Sequence, residues 1–391
     1  MKLPRICSSN SSVTKDCDGY EEQLEHHSNE CFQLSQKRII LAQESMEENN
    51  IDVIILFDGN QTSSKFVGTT APFGALLIFR NLDPLIIAPP IFEEQAGGNI
   101  DTEVMHFEGD LLSTLGKAIA LRIGHKKRLK IGFDSFSLGY SVGLVLQRIG
   151  YKLADVSSTV LTDSLKKPFP EELKYVREIS RICDCGLEAA YGALALGIRE
   201  CEVAGEADRA MWRAGATRFR FPSLVCSGTK SSFPHSTTAR KIINEGETII
   251  VDISPMFLSY DGDVARSFLL GDDKKWAQYY QILQDSLLEA LSIVMEGTNA
   301  SEVDSRLREI LTRTGLPSHP HLTGHPIGGF RSPFIGTNSR DILDENMVFV
   351  IEPGTYLKGT GGIRIERHVL VKKNGFEILD RFNPNFQKIT G

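Results

Sequence analysis

The stretch IIVDISPMFLSYDGDVARSF, from Ile249 to Phe268, decides the fold. Thr248 leads into an apolar β-branched run, Ile249-Ile250-Val251, which is the pattern of a buried strand and which stops at a carboxylate, Asp252. A second carboxylate, Asp263, follows 11 residues later, after Ser254-Pro255 and Tyr260-Asp261-Gly262, which read as a bend and a turn. Antiparallel strands joined by such a turn bring both carboxylates to one end of a hairpin, where they repel unless a cation lies between them. A metal site is the first reading, and two solvated acids the ordinary alternative.

The C-terminal third weighs on that choice. His325 sits in Gly324-His325-Pro326-Ile327-Gly328, Glu352 in Phe349-Val350-Ile351-Glu352-Pro353-Gly354, and Glu366 in Gly362-Ile363-Arg364-Ile365-Glu366. Each adjoins an apolar β-branched segment and so belongs on a sheet or at its edge. One imidazole and four carboxylates make an oxygen-rich set that suits Mn, Co, Fe or Zn better than a thiolate-loving ion.

The order of these residues resembles the pita-bread metallopeptidases, the group of methionine aminopeptidase, Xaa-Pro aminopeptidase and prolidase, with creatinase as a metal-free relative. Ile351-Glu352-Pro353-Gly354-Thr355-Tyr356 and Gly361-Gly362-Ile363-Arg364-Ile365-Glu366 are most similar to the Xaa-Pro aminopeptidase and prolidase branch. The resemblance covers about residues 170 to 380, and more weakly the region before. It implies a creatinase-like α/β N-terminal domain followed by an α+β pita-bread catalytic domain, a dinuclear site for two divalent ions (Mn first, then Co, Zn or Fe) and a homodimer.

Working outward, 391 residues exceed one compact core and predict more than one domain. Composition is that of an ordinary globular protein, with 41% hydrophobic and 24% charged residues. A net charge of −7 argues against nucleic acid or an anionic membrane as the main partner, and no apolar run is long enough to span a bilayer. Seven cysteines without a repeated spacing read as reduced thiols in a cytoplasmic protein. Residues 1–35 are polar, lack a secretory core and read as a flexible extension, in which the Asn10-Ser11-Ser12 sequon carries little weight.

Residues 36–165 alternate helical and strand patterns, with strands at Val53–Phe57, Ala75–Phe79, Pro84–Ala88 and Lys130–Phe133. The proline-broken segment between Asp163 and Pro170 marks a boundary, and 170–391 form the catalytic domain. Helices are expected over Glu171–Leu196, Glu200–Ala214, Lys274–Gly297 and Val303–Gly315. The resemblance also implies a pseudo-symmetry between the two halves of this domain, although no repeat is visible in the sequence.

The resemblance assigns roles residue by residue. Asp252, Asp263, His325, Glu352 and Glu366 match the metal ligands, with Asp263 and Glu366 bridging two ions that hold a water. Glu352 matches the group that takes the water's proton and passes it to the leaving nitrogen. His235, in Pro234-His235, and His321, four residues before His325, match histidines that stabilise the oxyanion and orient the scissile amide. Arg364 is expected to support a ligand carboxylate, and Tyr356 to contact substrate or simply to pack. His319 has no counterpart and reads as structural or exposed.

Two positions depart from the pattern. Ser332 stands where the branch carries a further histidine, seven residues after His325, and Pro326 replaces a glycine. Both leave the ligands intact but remove an imidazole from the substrate side, where Arg331 is either a solvated charge or a partner for a substrate carboxylate. The expected activity is metal-dependent hydrolysis of an amide in a small peptide, most of all Xaa-Pro. The alternatives are a hydrolase or lyase acting on a small non-peptide metabolite, and a non-catalytic binding protein on the same fold. The last has no physical need to hold mutually repelling carboxylates together.

Overall fold

The computed structural model describes residues 17–59, 61–67, 73–92, 102–107, 109–124, 128–135, 137–383 and 385–389, with the backbone alone for 17–29 and 61. Residues 1–16 of the extension expected at the N-terminus, including Cys7 and Asn10, lie outside the described residues.

Helix α1 (Cys17–Glu48) crosses the expected boundary at residue 35. Leu34 is buried against Tyr175, Tyr260 and Phe330 of the catalytic domain, and the buried Arg38 donates to the Ser164 carbonyl and to Glu172. Residues 30–35 are therefore a packed helical turn, because Leu34 and Arg38 lie four apart on one face.

The N-terminal domain follows as β1 (Val53–Phe57), α2 (Gln61–Val67), β2 (Ala75–Phe79), β3 (Leu85–Ala88), β4 (Glu103–His106), α3 (Leu111–Ile123), β5 (Lys130–Phe133), α4 (Tyr140–Ile149), β6 (Lys152–Asp155) and α5 (Val160–Ser164). The strands form one mixed sheet in the order β4-β3-β2-β1-β5-β6. Its central strands are apolar on both faces, because cores fill both sides: α1, α2 and α5 cover one, α3 and α4 the other.

The catalytic domain opens with α6 (Leu173–Ala193) and α7 (Glu200–Arg213). They back a sheet of β7 (Arg218–Ser227), β8 (Thr248–Phe257), the short β9 (Tyr260–Asp261) and β10 (Val264–Leu270). In the second half, α8 (Lys274–Leu291) and α9 (Ala300–Thr314) back β11 (Gly324–Pro326), β12 (Val348–Ile351), the hairpin β13 (Gly354–Leu357) and β14 (Gly361–Arg364), then β15 (Arg367–Lys372) and β16 (Gly375–Ile378). A last strand, β17 (Gln387–Ile389), returns to pair with β10.

The two halves repeat one plan. Each has its own apolar core between a helix pair and a sheet. In each, the residue capping the second helix bridges to the chain just before the ligand strand, Arg199 to Ile242 and Asn299 to Ile342. Asp252 and Glu352 then occupy equivalent places 100 residues apart.

One local expectation fails. Ser254-Pro255 is not a bend: β8 runs through it to Phe257, and the chain reverses at Leu258, whose φ is +55°. Pro255 is accommodated because the Gly262 carbonyl, which its missing N–H would face, accepts the Ser254 hydroxyl at 2.6 Å, while the Pro255 carbonyl still accepts from the Gly262 amide. The strand is buried along nearly its whole length and places Asp252 in the middle of the sheet.

Candidate metal centre

Asp252 on β8 pairs in register with Ala265 on β10, which sets Asp263 beside it across the hairpin. The Glu366 amide donates to the Ala265 carbonyl at 3.0 Å and stitches the second half onto the first. Asp252, Asp263 and Glu366 are buried and each offers an oxygen within 4.8 Å of the others. Across from them, His325 Nε2 lies 3.5 Å from Asp263 Oδ2 and 3.6 Å from Glu352 Oε1. All five residues line one cavity of about 230 Å³, together with Phe221, His235, His321 and Leu322.

The electrostatics demand a counter-charge. Burial, then the neighbouring Asp252, pushes Asp263 well above the usual carboxylate range; burial and then Glu366 do the same to Glu352, and burial and then Asp252 to Glu366. Asp252 Oδ1 and Glu366 Oε2 are buried and have no hydrogen-bond partner among the described residues. His325 Nδ1 is 3.0 Å from the Pro326 carbonyl, so it carries the proton, and the Nε2 lone pair faces two carboxylates. A lone pair aimed at anions, with orphaned carboxylate oxygens beside it, is the donor set of a divalent cation.

Arg364 supports this set. Its guanidinium donates to Asp252, reaches Glu366 Oε1 at 2.9 Å, and also donates to the Pro234 carbonyl at 2.6 Å and the Tyr356 hydroxyl at 3.2 Å. One side chain thus fixes two acids and the loop that carries His235. The ring of His235 lies 6.5 Å from that of His321, with no hydrogen-bond partner among the described residues. Both nitrogens of His321 are engaged: Nδ1–H donates to the Leu322 carbonyl at 2.8 Å, and Nε2 accepts from Tyr356 Oη at 2.9 Å. Burial pulls the His321 imidazole down to about 4, so it is neutral near pH 7. His321 therefore orients Tyr356, and the histidine left open to a substrate is His235.

Two expected substrate contacts are placed elsewhere. Arg331 bonds Asp134 at 2.5 Å, Thr62 at 2.9 Å and the Ser157 carbonyl at 3.1 Å, all in the N-terminal domain. Ser332 is 2% exposed, outside the lining of the cavity, with no partner for its hydroxyl among the described residues. His319 is buried against Thr323 and is structural.

Sequence reading missed three supports. His368 holds Ser180 Oγ at 2.8 Å with Nδ1, while its Nε2 lies 3.0 Å from the Asp263 amide nitrogen. It stands two residues past Glu366 on an apolar strand, a visible signal. Arg266 donates to the Glu366 carbonyl and pairs with buried Asp380 at 2.5 Å. Arg220 reaches Asp263 at 3.3 Å and Asp261 at 3.4 Å across a turn that no local pattern discloses.

The chain is 31% identical to an Xaa-Pro dipeptidase of Pyrococcus furiosus over 54% of its own length and 62% of the relative's. It is 25% identical to the Xaa-Pro dipeptidase of Pyrococcus horikoshii over 88% of this chain and 96% of that one. Among solved structures, a prolidase from Pyrococcus furiosus superposes with a TM-score of 0.79 at 25% identity, over 87% of this chain and 99% of that one. Residues 174–373, which span both halves and every ligand described above, match metallopeptidase family M24, and the chain belongs to that family.

Proposed function

We propose that this protein hydrolyses the amide bond before proline in small Xaa-Pro peptides, in a metal-dependent reaction. The observation that carries the reading is the unprotonated His325 Nε2 turned toward Asp263 and Glu352 in a cavity lined by four buried carboxylates. The substrate class is supported by the relatives, two of which are Xaa-Pro dipeptidases.

Asp252, Asp263, His325, Glu352 and Glu366 would hold divalent metal, manganese being the first candidate. When bound, such ions supply Lewis acidity to the scissile carbonyl and make hydroxide available near neutral pH. Glu352, whose burial raises its proton affinity, is suited to take a proton and return it to the leaving nitrogen. His235 reaches the reacting carbonyl, and Arg364 holds it there through Pro234. His321 and Tyr356 fix one another beside Glu352, His321 Nδ1 lying 3.5 Å from Glu352 Oε2.

A homodimer is part of this reading by family likeness. A cytoplasmic setting is supported by the free thiols at Cys31, Cys183, Cys185, Cys201 and Cys226. No helix among the described residues is long and apolar enough to cross a membrane.

A second reading is a small non-peptide amide as substrate: the imidazoles lining the cavity are His235, His321 and His325, without the further histidine of the substrate side that the resemblance expects. The test is turnover of Xaa-Pro dipeptides and longer Xaa-Pro-Yaa peptides by chelator-stripped protein reloaded with Mn, Co, Fe or Zn, with Asp263→Ala as control. Turnover that requires metal and is lost in the variant supports the peptidase. Metal binding without peptide turnover overturns it in favour of small amides.

A further inference from the structure

We propose that Arg220 anchors the free carboxylate of the substrate and so gives the site a preference for dipeptides; the inference rests on the peptidase reading above. The assignment starts from β7, whose pairing with β8 is irregular between Phe219, opposite Pro255, and Phe221, opposite Ser254. Arg220 is the residue inside that irregularity. Bulges of this kind re-aim a side chain, and here the guanidinium is turned toward the ligand hairpin.

Arg220 is held loosely. Its contacts to Asp261 and Asp263 both run through Nη1 and measure 3.4 and 3.3 Å, longer than the 2.7–2.9 Å typical of charge-assisted bonds. Nε and Nη2 have no partner among the described residues, and the side chain is 45% exposed. Asp261 is already committed elsewhere, accepting the Gly329 amide at 2.6 Å. A planar fork with two donors free, half-exposed beside reacting groups, fits a carboxylate in bidentate geometry.

The space in front of it has matching chemistry. Arg220 lines a cavity of about 160 Å³ that shares His325 with the metal cavity and carries Pro326, Phe330 and Phe334. Those apolar walls suit a pyrrolidine ring next to the scissile bond, with the guanidinium at the position of the following carboxylate. The competing arginines are occupied: Arg364 by Asp252 and Glu366, Arg266 by Asp380, and Arg331 by Asp134.

The experiment uses full-length, metal-loaded protein with Ala-Pro and its C-terminal amide as paired substrates, in wild type, Arg220→Ala and Arg220→Gln. Calorimetry with proline and prolinamide supplies a readout without turnover, and mass spectrometry supplies the metal content. The expected result is a fall of about 10- to 100-fold in kcat/KM for Ala-Pro and a matching loss of proline affinity. The amide and prolinamide should change less than about threefold, with the metal retained. Equal losses on acid and amide would show that Arg220 acts through Asp263 and would overturn the anchor, as would no loss in either variant. A wild type that turns over neither peptide overturns the peptidase reading; proline bound in preference to prolinamide, and lost in Arg220→Ala, would then leave the carboxylate anchor standing by itself.

Discussion

Arg331 Nη2 lies 2.5 Å from Asp134 Oδ2, across the boundary between the two domains. The Asp134 side chain is only 5% exposed, so truncating Arg331 takes a charged partner from a buried carboxylate. Arg331→Ala should lower the stability of the folded chain by about 2–3 kcal/mol, read by denaturant unfolding. Its kcat/KM should stay within about threefold of wild type, because a tie between domains makes no contact with the transition state. A large kinetic loss with unchanged stability would return Arg331 to the substrate.

Ser332→Ala carries the opposite sign. The hydroxyl is buried without a partner among the described residues, so its removal should be neutral or stabilise by up to about 1 kcal/mol in thermal melts, with activity unchanged.

Tyr356→Phe removes the hydroxyl shared by Arg364 and His321. Metal content should be retained while kcat falls about tenfold with a smaller change in KM, since the loss is one of orientation. The pH profile should show no ionisation of His321 between about pH 6 and 8, because burial has already moved it to about 4.

Lys65 gives a stability prediction far from the chemistry. Its ammonium sits 3.0 Å from the centre of the Tyr260 ring and 3.5 Å from Glu172, and burial pulls it from 10.5 down to about 7, against the opposing pull of Glu172. Between those values the unfolded chain binds the extra proton, so the contribution of Lys65 to stability rises with pH. Measured against Lys65→Met, wild type should gain up to about 1.4 kcal/mol per pH unit from about pH 7 to 9. A flat difference would place the titration outside that window.

Removing divalent ions should destabilise the fold, because four acids then face one another with Arg364 as their chief compensation. Restoring an ion at about 1,000 times its Kd should return about 4 kcal/mol, visible as a concentration-dependent melting temperature. An unshifted melt would argue against a metal at this site.

How legible all this was depended on range. The candidate ligands stood out in the sequence because strands place them: Asp252 ends the apolar half of β8, Glu352 follows β12 directly, and Glu366 lies between β14 and β15. Most helices and strands showed for the same local reason. Ser254-Pro255 misled because proline usually breaks a strand, and here the Ser254 hydroxyl serves the Gly262 carbonyl that the proline cannot. Arg331 misled because position in a motif does not state direction, and its direction is set by Asp134, 197 residues earlier. The helical turn at residues 30–35 looked polar until Leu34 and Arg38 met partners more than a hundred residues away.

The repeated plan of the catalytic domain bears on how the protein comes together. Asp252 and Asp263 belong to a half with one apolar core, and His325, Glu352 and Glu366 to a half with another, so a newly made chain owns no ion-binding set until its seam has shut. Contacts between residues about a hundred positions apart are late events in a folding chain. Ion uptake is then a certificate of finished assembly, and a chain halted before the seam closes leaves the cell's metal pool untouched.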